Sequence, residues 1–282
     1  MTENAFVTSN YGVRMPRIVY GTAWKKARTA ALVEQAIGLG FRGIDTACQP
    51  KHYDEAGVGA GVAACLNEGL TRADLYLQTK FTPLNGQDRR RIPYDPKAGL
   101  AEQVAQSFQA SLANLRTTYL DSLVLHSPLA DAKQSLEVWR AMEAVVLAGG
   151  AKQIGISNCY NPAQLELLFQ TAEVKPAVVQ NRFHAQTGYD REIRAFCRGH
   201  GIFYQSFWTL TANPDLLAHR AVQSLAAKYS RTPAQILFRY LTQVEVIPLT
   251  GTTSADHMHE DLAIFEFELG DAECEDIDRC LG

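Results

Sequence analysis

The 282-residue chain reads as an α/β protein whose strands close into a single (β/α)8 barrel of the TIM type. Three observations predict this. Short β-rich runs alternate with amphipathic helical stretches along nearly the whole length, as in repeated βαβ units around a parallel sheet. The runs number eight. Groups able to move protons also recur where a run stops: Asp45 in Gly43-Ile44-Asp45-Thr46-Ala47, Lys80 after Leu77-Gln78-Thr79, and His126 in Leu123-Val124-Leu125-His126-Ser127-Pro128. Strand carboxyl ends are where barrels of this class carry their chemistry.

Residues 6–15 alternate around Asn10-Tyr11-Gly12 and predict an N-terminal β-hairpin that closes the bottom of the barrel. The strands are expected at residues 18–21, 43–46, 75–80, 122–126, 153–157, 177–181, 202–207 and 244–249. Helical periodicity is seen at residues 29–39, 100–115, 135–148, 162–171, 191–200, 232–241 and 271–280. Gly40 and Gly149-Gly150 are stop signals, and Asn161-Pro162 and Thr232-Pro233 are start signals. A doubly wound open sheet would need a GxGxxG turn after its first strand, where this chain has Gly21-Thr22-Ala23-Trp24. Gly57-Val58-Gly59-Ala60-Gly61 lies inside a helical stretch with no strand before it and is discounted. No linker or composition shift divides the chain, so residues 1–282 are expected to form one domain.

A net charge of −3 argues against nucleic acid as a partner, since phosphate binding needs a concentrated cationic face. Arg89-Arg90-Arg91, between Gly86 and Pro93, reads as a solvated loop. The opening Met1-Thr2-Glu3-Asn4 carries no leader pattern and no stretch is long and apolar enough to span a membrane, so a cytoplasmic protein is expected. Cys48, Cys65, Cys159, Cys197, Cys274 and Cys280 show no CxxC pair or zinc spacing and are expected to be free thiols, with Cys48 at the mouth of the site. No metal is expected either: in His257-Met258-His259-Glu260 neighbouring side chains point apart on a helix.

With these groups placed, the chain resembles the aldo-keto reductases, from about Gly12 to Leu269. Gly40-Phe41-Arg42-Gly43-Ile44-Asp45-Thr46-Ala47 resembles the aspartate strand of that family, and Tyr53-Asp54-Glu55-Ala56-Gly57-Val58-Gly59 its tyrosine-bearing helix start. Thr79-Lys80 and Leu125-His126-Ser127-Pro128 match the lysine and histidine strands. Gly155-Ile156-Ser157-Asn158, then Gln180-Asn181 with His184, match the segments that hold the nicotinamide carboxamide. The chain departs from the family at three places. Cys48-Gln49-Pro50-Lys51-His52 lengthens the Asp45 to Tyr53 spacing, Phe207 stands where the family has a stacking tyrosine, and Ile247-Pro248-Leu249-Thr250-Gly251-Thr252-Thr253-Ser254 lacks the lysine and arginine that take a 2′-phosphate.

The resemblance implies NADPH as cofactor, with NADH also accepted. It assigns to the cofactor Gly21, Thr22, Asp45, Ser157, Asn158, Gln180, Phe207, Trp208, Leu210, Pro248, Thr250, Thr252, Thr253, His257 and Asp261, and to the substrate Trp24, Tyr53, Phe81 and His126. Once a reduced nicotinamide is allowed, the chemistry follows from the residues. Hydride addition to a carbonyl builds negative charge on oxygen, which must be met by an acid and fixed dipoles. Tyr53 is then the general acid and Lys80 the cation that lowers its pKa. Asp45 holds Lys80, and a neutral His126 donates to the carbonyl. The expected partner is a small-molecule carbonyl compound met by a monomer or weak homo-oligomer. Because the last helical segment is followed so soon by Gly282, the site is expected to be open, with residues 83–96 as a lid. A cofactor-binding barrel that senses redox state with little turnover, and a barrel isomerase or lyase gripping phosphate at residues 250–254, are the competing readings.

Overall fold

A computed structural model describes residues 3–281. After a hairpin of β1 (Phe6–Thr8) and β2 (Arg14–Pro16), eight parallel strands close into a barrel: β3 (Val19–Gly21), β4 (Gly43–Asp45), β5 (Tyr76–Phe81), β6 (Ser122–Leu125), β7 (Ile154–Ser157), β8 (Val178–Arg182), β9 (Phe203–Phe207) and β10 (Val246–Thr250). Each strand pairs with its neighbours in chain order, and β10 pairs with both β9 and β3, leaving no edge. The helices are α1 (Thr29–Leu39), α2 (Glu55–Asn67), α3 (Leu100–Leu115), α4 (Ala132–Leu147), α5 (Pro162–Thr171), α6 (Arg191–Gly199), α7 (Pro214–Ala218), α8 (Arg220–Tyr229), α9 (Pro233–Gln243), α10 (Ala255–Leu262) and α11 (Asp271–Cys280). None is long and apolar enough to cross a membrane.

The expected caps form. Gly40 takes φ +122° to end α1, Asn161 accepts from the Ala163 amide at the start of α5, and Thr232 and Gln235 make a capping box around Pro233. Strand starts shift where a neighbour claims the residue: α9 runs on through Gln243, Glu245 turns with φ +62°, and the last strand therefore begins at Val246 rather than at 244. Conversely, α4 begins three residues early because Asp131 caps the Lys133 amide. The glycines of the discounted loop lie within α2, where a Cβ on Gly59 would come 2.1 Å from the Asn114 carbonyl and one on Gly61 2.5 Å from that of Ala30. They exist to let α2 pack closely on α1 and α3.

Side chains alternate between the barrel interior and the helical layer. The outer face of the strands carries Tyr20, Ile44, Leu77, Phe81, Leu123, Leu125, Ile154, Ile156, Val179, Tyr204 and Val246, all in the main core under the helices. The lower interior is a separate apolar cluster of Val19, Tyr76, Val178 and Ile247, closed from beneath by Val13 and Met15 of the hairpin. Ser9 Oγ donates to Gln153 Oε1 at 2.6 Å, and Gln153 Nε2 donates to Met15 Sδ at 3.1 Å, so the plug is also tied by polar contacts.

Above this cluster the interior turns polar. Gln78 Nε2 donates to Asp45 Oδ1 and Gln205 Oε1, both at 2.7 Å, and Gln180 Nε2 donates to the same two atoms at 3.0 and 2.9 Å. Tyr76 OH donates up to Gln78 Oε1 at 2.6 Å. Buried amides cost little when every donor is met, and this layer separates the apolar plug from the charged strand ends above it.

Candidate active site

Asp45 and Lys80 stand on this glutamine layer at the strand ends. Lys80 Nζ donates to Asp45 Oδ1 and Oδ2 at 2.7 and 2.6 Å and to the Thr46 carbonyl at 2.8 Å. Both side chains are almost wholly buried. Burial pushes the ammonium below its ordinary pKa, and the Asp45 charge opposes that shift. With three acceptors around it, the ammonium is fixed in place.

Tyr53 enters from the turn before α2. Asp54 caps that helix by accepting from the Gly57 amide at 2.9 Å. Glu55, buried, accepts from Thr79 Oγ1, Ser111 Oγ and Asn114 Nδ2 at 2.5, 2.8 and 3.2 Å. The start of α2 is therefore bolted to β5 and α3, despite the lengthened spacing from Asp45. Lys80 Nζ lies 5.4 Å from the Tyr53 ring centroid, and the His126 ring meets the tyrosine edge-on at 5.9 Å between centroids. The four groups expected to work together are thus brought together.

The electrostatics differ from expectation in one respect. Burial, and then the Asp45 charge, raise the Tyr53 pKa above that of free tyrosine, where the sequence predicted that Lys80 would lower it. The main cause is desolvation, since a phenolate buried here loses its water, and the Asp45 carboxylate adds to it. His126 fits its expected neutral state, its pKa pushed down to about 3 by burial and by the Lys80 and His52 charges. Thr82 Oγ1 lies 2.7 Å from its Nδ1.

The far wall is polar and shaped by unusual backbone. Asn158 takes φ +54° after β7; its Nδ2 donates to the His126 carbonyl at 2.8 Å and its Oδ1 accepts from Tyr160 OH at 3.3 Å. Ser157 Oγ donates to the Gln180 carbonyl at 2.7 Å. Trp24 and Trp208, after β3 and β9, take φ of +64° and +56° and stay 55% and 50% exposed. Left-handed backbone is costly for such bulky residues and clusters at functional sites. Trp24 packs against His52 with ring centroids 4.0 Å apart and the planes tilted by 37°, while Phe207, half-buried, lies on the interior side of β9. Leu210 is also half-buried, packed against the core behind them.

Residues 250–254 lead into α10, where Ser254 Oγ accepts from the His257 amide at 3.4 Å and Thr252 Oγ1 lies 3.4 Å from His257 Nδ1. Gly251, Thr253 and His257 are exposed at this helix start, with Thr252 half-buried, and Gly21 lies beneath, its missing Cβ position 3.4 Å from the Thr250 carbonyl. Free amides at a helix start suit a phosphate. Lys25, absent from the sequence expectations, donates to the Gly251 carbonyl and adds a cation at this rim. The signal available for it was the Lys25-Lys26 and Arg28 run after the first strand.

Several assigned residues serve the site differently from expectation. Gln180 is turned into the barrel, donating to Asp45 and Gln205, and Thr22 is buried with its hydroxyl on the Asp45 carbonyl at 2.9 Å. Pro248 faces outward by strand alternation, and Asp261 is buried behind the loop, accepting from Thr250 Oγ1 at 2.6 Å. Phe81 points away from Lys80, into the core against Tyr94 at 5.7 Å, so it is no wall of the pocket. Cys48 is 2% exposed, its thiol pushed up to about 12 by burial and Glu55, away from the mouth. The 83–96 segment is pinned: Gln87 Nε2 donates to the Cys48 and Thr82 carbonyls at 2.9 and 3.2 Å, and Tyr94 OH to that of Thr82 at 2.8 Å.

Residues 17–282 match the aldo/keto reductase family. The oxidoreductase YtbE of Bacillus subtilis (strain 168) is 31% identical over 268 residues, covering 94% of this chain and 89% of that protein. The glyoxal reductase of the same organism is 30% identical over 246 residues, covering 87% and 81%. Among solved structures, an aldo-keto reductase of Bombyx mori in complex with NADP superposes with a TM-score of 0.84 at 26% identity, covering 99% of this chain and 93% of that one. The chain therefore belongs to the aldo/keto reductase family of NAD(P)H-dependent oxidoreductases.

Proposed function

We propose that the protein reduces small aldehydes and activated ketones, including dicarbonyls, with NADPH. The observation that carries this reading is the convergence of Asp45, Tyr53, Lys80 and His126 at the strand ends, beside a polar wall fit to hold a nicotinamide. The glyoxal reductase among its relatives and the NADP-bound structural neighbour agree with it.

The residues fit the cofactor. Asn158 and Ser157 would hold the carboxamide, Phe207 would offer its face to the ring, and the 250–254 loop with the α10 start and Lys25 would take the phosphates. When bound, the reduced nicotinamide supplies the hydride. Tyr53, whose raised pKa keeps its proton on at neutral pH, gives that proton to the carbonyl oxygen as negative charge grows there. The Lys80 ammonium meets the phenolate left behind, and Asp45 holds that ammonium in place. His126 is neutral; in the tautomer that accepts from the Thr82 hydroxyl at Nδ1, the Nε2–H would make a hydrogen bond to the substrate oxygen and keep its proton. The chain has neither lysine nor arginine at residues 250–254, so the preference for NADPH over NADH should be modest.

The test is oxidation of NADPH and NADH by methylglyoxal, an aromatic aldehyde and an unactivated ketone. Tyr53→Phe should lower kcat by about 10²–10⁴-fold while leaving NADPH binding, read by fluorescence quenching, nearly intact. Full activity in that variant would place the acid elsewhere.

A further inference from the structure

β8 ends on Arg182, which shares its side of the strand with Gln180 and so rises on the interior side at the mouth. Its guanidinium lies 4.3 Å over the Trp208 ring. Its Nε is buried and has no hydrogen-bond partner, and no carboxylate pairs with the side chain among the described residues. The nearby Asp190 is engaged on the outer face, its Oδ2 accepting from Asn181 Nδ2 at 2.7 Å and Tyr204 OH at 3.0 Å. A half-buried cation with an unmet donor is expensive unless an anion completes it. Stacking on an indole fixes the planar fork in advance for two-point contact with a carboxylate.

The surrounding charges leave this demand unmet. Lys80 is neutralised by Asp45, and His126 is uncharged. The arginine is also tied to the reacting centre: its amide donates to Tyr160 OH at 3.0 Å, that hydroxyl donates to Asn158 Oδ1, and Asn158 Nδ2 donates to the His126 carbonyl. An anion on Arg182 would thus be held in a fixed relation to the histidine. A cofactor diphosphate carries the same oxyanion chemistry, but the phosphate-suited features, Lys25 and the α10 start, lie by β3 and β10, which β9 separates from β8.

We infer that Arg182 is a carboxylate-recognition residue, and that the preferred substrates are aldehydes or ketones that also carry a carboxylate. This rests on the reductase reading above. The experiment compares 4-carboxybenzaldehyde and succinic semialdehyde, each with its methyl ester, in the intact enzyme and in Arg182→Met and Arg182→Lys. The intact enzyme should favour each acid over its ester by about 10-fold or more in kcat/KM, and Arg182→Met should cut that acid-to-ester ratio by about 10–100-fold, chiefly through KM. Arg182→Lys should recover part of it. Equal losses for acid and ester, or a preference for the esters in the intact enzyme, overturns the inference. A tenfold rise in the NADPH dissociation constant with the ratio unchanged overturns it in favour of the cofactor diphosphate. If no carbonyl is reduced by any form, the reductase reading alone fails, and tryptophan quenching decides this one. The acid, not its ester, should quench the intact protein and lose at least tenfold in affinity in Arg182→Met; equal quenching by both compounds overturns it.

Discussion

At its lower end the barrel encloses Val19, Tyr76, Val178 and Ile247 over Val13 and Met15; at its upper end its strands present Asp45, Lys80 and Phe207 beneath Trp24, Asn158 and Trp208. Below, the side chains pack against apolar neighbours, and Gln153 and Ser9 at the plug bond each other. Above, three bulky or polar residues sit in left-handed backbone, a lysine is buried with its counter-ion, and Arg182 Nε goes unmet. Strain and unmet polarity at one end are tolerated because the other end and the outer core supply the stability. The glutamine layer of Gln78, Gln180 and Gln205 is the boundary, holding Asp45 from below without admitting water-dependent groups to the plug.

The sharpest way to break this division is at the ion pair. Lys80→Met leaves Asp45 buried with only amide donors, and should lower stability by about 3–5 kcal/mol. Turnover should fall by about 10²-fold or more as the developing phenolate loses its cation. Urea denaturation and steady-state kinetics read both; a variant that is stable but inactive would show that the pair serves chemistry alone.

At the lower end the two effects should separate. Met15→Ala empties the plug and removes the acceptor of Gln153 Nε2, which should cost about 2–4 kcal/mol with kcat changed by less than about 2-fold. A comparable loss of kcat would mean that the plug and the site are coupled through the glutamine layer.

A pH-dependent effect is expected behind the phosphate-suited loop. Burial raises the Asp261 pKa from 3.8 to about 7, so the folded chain keeps a proton there that the unfolded chain loses. Its contribution is therefore lost as pH rises through that window, by at most about 4 kcal/mol. Asp261→Asn should flatten the fall of Tm between pH 5 and 8. An unchanged slope would show that this carboxyl titrates normally.

Alternation of β-rich and helical stretches, with caps at Gly40, Asn161 and Thr232, was sufficient to read eight strands and the hairpin beneath them, because periodicity and capping are local. The convergence of Asp45, Lys80 and His126 was legible for a related reason: strand ends in a closed parallel barrel all face one way. What a side chain meets across the barrel is not local. Whether Phe81 faces the site or the core depends on the pleat set by Lys80, and whether Cys48 is open depends on α3 lying over it. Gln180 turns inward because Asp45 and Gln205, on other strands, accept its hydrogen bonds, and the Tyr53 pKa rises because folding buries the phenol beside Asp45. The chain's order and periodicity determined the barrel and the end where the candidate site gathers; tertiary packing alone decided the burial, pairing and charge of each group there, since desolvation and Coulomb energy depend on neighbours brought together only by folding.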